Sequence, residues 1–165
     1  MANKSPIQHS ARILWERAAS EGFLDRRYSR AHRWFFDGGA EVAAAASPHN
    51  VMLPYTVAEN VDPDEAFIAA ISSCHMLTFL FCACRAGYVV DRYDDEAMGL
   101  IGEFVPGHPA VVKATLRPVV AFSGEQVPSD AELERLHHEA HSQCFIANSV
   151  KTEIVVEGRW THDAR

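Results

Sequence analysis

Apolar and polar positions along the chain follow two rhythms. Residues 11–17 and 28–36 carry aromatic and aliphatic side chains at strand spacing, with a turn region at Glu21-Gly22 between them. Asp37-Gly38-Gly39 is a hairpin signal that leads into a third strand at 41–46. Ser47 to Pro54 reads as a loop, because prolines at 48 and 54 punctuate it. At Asp62 the spacing becomes helical. Asp62 can cap, Pro63 suits the first helical position and Glu65 can return a bond to the cap. Arg85 and Gly87 mark the end, so the predicted helix is roughly 36 Å long. It is apolar nearly all round, which predicts burial all round.

Two further strands, 97–105 and 111–122, flank Pro106-Gly-His-Pro109. Ser129-Asp-Ala-Glu132 is a second capping box and opens a helix running to about Gln143. Residues 151–160 alternate like a half-buried final strand. The order β-β-β-α-β-β-α-β specifies an α+β fold built around the long central helix. No repeat or linker divides the 165 residues, so a single domain over 1–165 is expected, with 1–9 as a disordered leader.

Composition narrows the function classes. An apolar fraction of 48% and a charged fraction of 22% belong to an ordinary globular protein. A net charge of −7, with no basic run, argues against nucleic acid as a partner. No secretory segment opens the chain, and a cytoplasmic location with mostly reduced thiols is expected for cysteines 74, 82, 84 and 144. Residues 66–84 contain no charged side chain and are long enough to raise a membrane span. Ser72, Ser73, Cys74, His75 and Thr78 at its centre, with no flanking basic cluster, argue against one.

Chemistry enters through two cysteines. Phe67, Ile71, Cys74, Thr78 and Phe81 share one face of the first helix; Leu133, Leu136, His137, Ala140 and Cys144 form one stripe of the second. A cysteine so placed is either a small packing residue or a protected reaction centre. Two inward thiols on packed helices could form a redox pair, and sequence leaves both readings open. Cys82 and Cys84 read as packing, and His75, about 100° around the helix from Cys74, as a packing or hydrogen-bonding residue. A reactive thiol needs a cation, for which Arg27, Arg30 and Arg33 on the second strand are available, and an acid to orient it. Asp64 and Glu65 are nearest in sequence, yet they lie about 14–15 Å from Cys74 along a straight helix. They also serve as first-turn acids for the helix dipole.

The run Asp-Pro-Asp-Glu-Ala-Phe-Ile-Ala-Ala-Ile-Ser-Ser-Cys74-His-Met, with Cys144-Phe-Ile-Ala-Asn-Ser-Val-Lys seventy residues later, resembles the OsmC/Ohr family of osmotically induced and organic-hydroperoxide-resistance proteins. The likeness spans nearly the whole chain, and its specificity lies in the two cysteine motifs together. It implies an OsmC-like fold in an intertwined homodimer with two sites at the subunit interface. It also implies a cysteine peroxidase that reduces organic hydroperoxides, with no cofactor or metal. Cys74 would attack, Cys144 would resolve the product into a disulfide, and an external dithiol, lipoylated or thioredoxin-like, would reduce it. Phe67, Leu77 and Phe81 would line an apolar substrate pocket.

The chain departs from the family pattern in three places. The family acid falls on Asp64, an aspartate where glutamate is usual, with Glu65 beside it. The place of the OsmC-type arginine falls near Pro54, so Arg30 is the expected replacement, with Arg27 behind it. Phe145 follows Cys144 where many members have proline. Two rivals stand beside the peroxidase: a metal-binding protein using His137, His141 and Cys144 at i, i+4 and i+7, and a redox-inactive binding module on the same fold.

Overall fold

The structure is a computed structural model, and it describes residues 7–162. Residues 1–6 of the expected leader lie outside the described residues, and 7–9 carry no regular secondary structure. The chain forms two compact units, 1–63 and 64–165. In the first, β1 (Ala11–Leu14), β2 (His32–Phe36) and β3 (Glu41–Ala44) make an antiparallel sheet in that order. The turn between β2 and β3 places Gly39 at φ 86°, as its hairpin signal requires. The loop after β3 folds back as Val61 bridges Ala44 in parallel.

The second unit starts with α1 (Pro63–Arg85). Its end is a Schellman motif: Tyr88 N–H bonds Ala83 C=O, Gly87 N–H bonds Cys84 C=O, and Gly87 takes φ 84°. Strands β4 (Val89–Asp95), β5 (Met98–Val105), β6 (His108–Leu116) and β7 (Pro118–Ser123) follow. Then come α2 (Asp130–Gln143), a short 3-10 turn at Ala147–Ser149, β8 (Glu153–Val156) and β9 (Arg159–His162). Ser129 and Glu132 close the predicted capping box at α2.

The strands sort into β4-β7-β9 and β5-β6-β8, yet their registers run on from one sheet to the other. Residue n of β6 or β7 faces residue n+40 of β8 or β9, from Lys113–Glu153 to Phe122–His162. Asp95 faces Pro118 and Met98 faces Thr115, again in step. One three-stranded sheet is therefore bent along a line through residues 96–97, 117 and 157–158. Polar groups hold that line. Asp95 accepts Arg117 N–H at 2.6 Å and the Ser72 hydroxyl of α1, while Arg117 Nε donates to Glu157 at 2.9 Å.

The bend corrects the predicted element order. The strand expected at 111–122 is β6 plus β7, and the one at 151–160 is β8 plus β9, because the pairing breaks where each chain crosses the bend. Strand β4 had no counterpart in the sequence reading. A bulge between Val90 and Arg92 shifts its inward positions to Val90, Tyr93 and Asp95, which destroys the two-residue alternation. The α+β class and the long helix stand.

Burial of α1 also differs from the expectation. Ile71, His75, Phe79, Cys82 and Ala83 are buried, whereas Leu77 and Phe81 remain 62% and 55% exposed. Phe79, Cys82 and Ala83 pack with Val120 and Phe122 of β7 and Leu133, Leu136 and Ala140 of α2. Ile71 packs with Ala114 and Leu116 of β6, flanked by Phe67, Ile68 and Ile154. Each fully buried Phe or Ile contributes about 1.5–3 kcal/mol. Alpha helix α1 is long and apolar enough to cross a membrane by length and composition. Ser72 gives it a polar anchor to the sheet. Replacing Ser129→Ala should cost about 1 kcal/mol by loss of the α2 cap, read as a lower urea midpoint at unchanged slope.

Candidate active site

Helix α1 carries Cys74 at mid-length, and the Cys74 carbonyl accepts the Thr78 hydroxyl at 2.9 Å. Cys144 is the C-cap of α2, where the chain turns extended at φ −71°, ψ 118°. It is fully buried, while Cys74 is half-buried. The short turn that follows is tied back by Asn148 N–H to Cys144 C=O and by the Asn148 amide to Ser142 C=O, both at 3.0 Å. These bonds explain the Cys-Phe-Ile-Ala-Asn-Ser motif as a rigid helix exit. They leave Phe145 in solvent and turn the Cys144 thiol inward. Its sulfur stands 2.8 Å from that of Cys74, with Cys144 as donor. Both are free thiols.

The family follows from this pair and its span. The OsmC-like protein model matches residues 57–158, which include both cysteines and both helices. The chain belongs to the OsmC-like family. It is 52% identical to an OsmC-like protein of unknown function from Vibrio cholerae over 93% of this chain and 99% of that one, with a TM-score of 0.90. An organic hydroperoxide resistance protein from Elizabethkingia anophelis shares the fold at 17% identity and TM-score 0.65, over 97% of this chain and 99% of that one. The organic hydroperoxide resistance protein OhrB of Bacillus subtilis does so at 14% and 0.58, over 94% and 98%. No curated protein shows significant similarity.

Within this OsmC-like framework, burial first and the hydrogen bond to Cys74 second push the Cys144 thiol up from its ordinary value. Backbone N–H groups of Ala147 and Ile146 oppose the shift without reversing it. The negative end of the α2 dipole also disfavours a thiolate there. The proton therefore stays on Cys144, which donates a hydrogen bond to the Cys74 sulfur.

A second polar pair lies beside the first. His75 Nε2 meets His137 Nδ1 at 3.1 Å, and both side chains are buried, 1% and 6% exposed. Burial holds each imidazole down at about 4, with His141 adding to the shift of His75 and His75 to that of His137. Both are neutral at pH 7, so one ring donates to the other. Sequence placed His137 on the inward stripe of α2 and gave His75 a packing or hydrogen-bonding role. It did not pair them, since sixty-two residues separate them.

The metal reading loses its geometry here. His137 turns its Nδ1 to His75, and Cys144 turns its sulfur to Cys74. Among the described residues, no group of three or more His, Cys, Asp or Glu side chains is arranged to hold a metal ion. Cys82 is buried within the α1–α2 cluster and Cys84 is exposed.

The other predicted site residues are not gathered by these contacts. Asp64 and Glu65 occupy the first turn of α1, which runs unbroken to Arg85 and keeps them about 14–15 Å from Cys74 along the axis. Arg30 belongs to the first unit. Its guanidinium stacks 3.9 Å from the Tyr28 ring centre and donates to the carbonyls of Arg26 and Tyr28. It borders a cleft of about 510 Å³ with Ile13, Trp15, Phe23, Tyr28 and His32. Arg27 pairs with Asp25 at 3.4 Å and Arg33 pairs with Glu41, both at the surface.

The histidine pair carries a pH signature. Its protons bind more weakly folded than unfolded, where imidazole titrates near 6.5. The pair therefore contributes fully above about 6.5, and that contribution fades as pH falls from about 6.5 to 4. A drop on the order of 3 kcal/mol for each imidazole over that window is expected in chemical unfolding. A His75→Phe/His137→Phe double variant should lose this part of the slope.

Proposed function

We propose that the protein is a thiol-dependent peroxidase reducing organic hydroperoxides to alcohols. The 2.8 Å Cys74–Cys144 approach carries this reading. Cys74, the more exposed thiol, is the attacking residue, and the fully buried, protonated Cys144 is the resolving one.

The Cys74 thiolate attacks the distal oxygen of the peroxide. The O–O bond breaks, the departing alkoxide takes a proton as alcohol, and Cys74 becomes a sulfenic acid. Cys144 then attacks that sulfur, and its proton leaves with the hydroxyl as water, giving a Cys74–Cys144 disulfide. An external dithiol, lipoylated or thioredoxin-like, supplies two electrons to reopen it. The names of fold relatives as organic hydroperoxide resistance proteins support the substrate class.

In this reading Arg30 stabilises the thiolate and polarises the O–O bond, with Asp64 or Glu65 orienting it. The acids stand too far along α1 from Cys74 to serve it directly, so the working unit is an intertwined homodimer in the cytoplasm. Exposed Leu77 and Phe81 of α1 and Leu100 and Ile101 of β5 supply an apolar surface for that association.

One equivalent of cumene hydroperoxide, added anaerobically, should remove two thiols per chain. Cys74→Ser should lose none, and Cys144→Ser should stop at a sulfenic acid. An unchanged thiol count with a stoichiometric bound metal would sink the proposal in favour of its metal-binding rival. Arg30→Ala should lower kcat/KM by about 100-fold, the scale of removing one preorganised electrostatic donor. A change under twofold would remove Arg30 from the mechanism.

A further inference from the structure

His137 is keyed into α1 more closely than a filler residue requires. Its ring stacks on Phe79 at 4.4 Å between centroids and on His75 at 5.4 Å, one helical turn apart on α1. Its Nδ1 bonds His75 Nε2. Its far edge abuts the sheet bend, where a Cβ on Gly158 would come within 2.4 Å of Nε2. One imidazole thus spans α1, α2 and the β8–β9 corner. The outer nitrogens, His75 Nδ1 and His137 Nε2, have no partner among the described residues. Apolar rings of similar size would pack without that desolvation penalty. What the imidazoles add is direction, because a hydrogen bond fixes orientation where stacking alone allows sliding.

We infer that His137, bonded to His75 and seated against Gly158, is a positioning residue that holds Cys144 within disulfide-forming reach of Cys74. The inference takes its chemistry from the peroxidase reading, in which Cys144 resolves a Cys74 sulfenic acid. His75 is the neighbour of Cys74 on α1, and Cys144 lies seven residues beyond His137 on the same inward stripe of α2. The two polar contacts therefore tie the same two helices about 10 Å apart along α2. A disulfide needs its sulfurs near 2.05 Å and its Cβ atoms near 3.8 Å, tolerances that a helix shift of about 1 Å defeats. His137 touches no reacting atom, and its effect falls on the second chemical step, not on peroxide attack.

The test equilibrates the reduced full-length protein in glutathione redox buffers and quantifies the Cys74–Cys144 disulfide by alkylation and mass spectrometry. One oxidised glutathione yields two thiols for each protein disulfide formed, which gives the effective concentration of one cysteine toward the other. His137→Phe should lower it at least about 10-fold. His137→Asn, whose amide stands near the place of Nδ1, should recover most of that loss. Gly158→Ala, which alters neither histidine nor cysteine, should lower it comparably by displacing the ring, and it decides the matter if His137→Phe fails to fold. An effective concentration unchanged in the folded variants would overturn the inference. So would failure of His137→Asn to recover it, which marks a packing role. With cumene hydroperoxide, dimedone should trap Cys74 sulfenic acid in His137→Phe and little of it in the wild type. If neither forms a sulfenic acid, the peroxidase reading fails while the glutathione measurement still judges the positioning role.

Discussion

Everything in the second unit depends on which stripe of α1 is taken out of water. The helix is apolar on several sides, so composition permits many rotations about its axis. The bent sheet and α2 select one, with Ile71 set over β6 and Phe79, Cys82 and Ala83 set against β7 and α2. That choice buries His75 as the neighbour of those residues and leaves Cys74 at the edge of the buried stripe. A rotation of one residue, about 100°, would exchange their environments. The exposure of the Cys74 thiol is thus a by-product of core packing, and so is the desolvation of the histidine beside it.

Several polar pairs within this core lock its geometry. Asp95 ties Ser72 to the Arg117 corner, His75 meets His137, and Cys144 donates to Cys74. Each links elements far apart in sequence. Desolvation dominates the ionisation of all the shifted groups among them: it keeps the imidazoles neutral and the Cys144 proton in place. A buried thiol at the C-terminal end of a helix is a poor nucleophile toward solvent species. Its one close sulfur partner among the contacts described is Cys74, 2.8 Å away.

Much of this was legible in the chain. The ends of α1 and α2 were readable because Pro63, Gly87, Ser129 and Glu132 act on their own backbone neighbours. The cysteine motifs were readable as a pair only through their resemblance to the OsmC/Ohr family, since helical spacing alone left packing and redox roles open. Strand β4 was not, because its bulge breaks the alternation that identifies a strand. The halves of the two long strands were not either: Pro118 and Gly158 sit at the bend, but the contacts that hold it join residues 22 and 40 apart. The histidine pair lay half in view. Each partner faced inward by helical arithmetic, but nothing local said that they faced each other.

By itself, the sequence determined the α+β class, the two helices with their caps, the inward stripes and the two cysteines as the residues to watch. These are short-range consequences of backbone sterics, capping and periodicity, and they are decided within a few residues. The tertiary structure decided the sulfur separation, the contact of His75 with His137 across sixty-two residues, the bend and the uncovered face of α1. Those quantities are set by how helices and strands distant in sequence share one buried volume. A linear pattern can say that a side chain points inward, but the packed core alone says what it meets there.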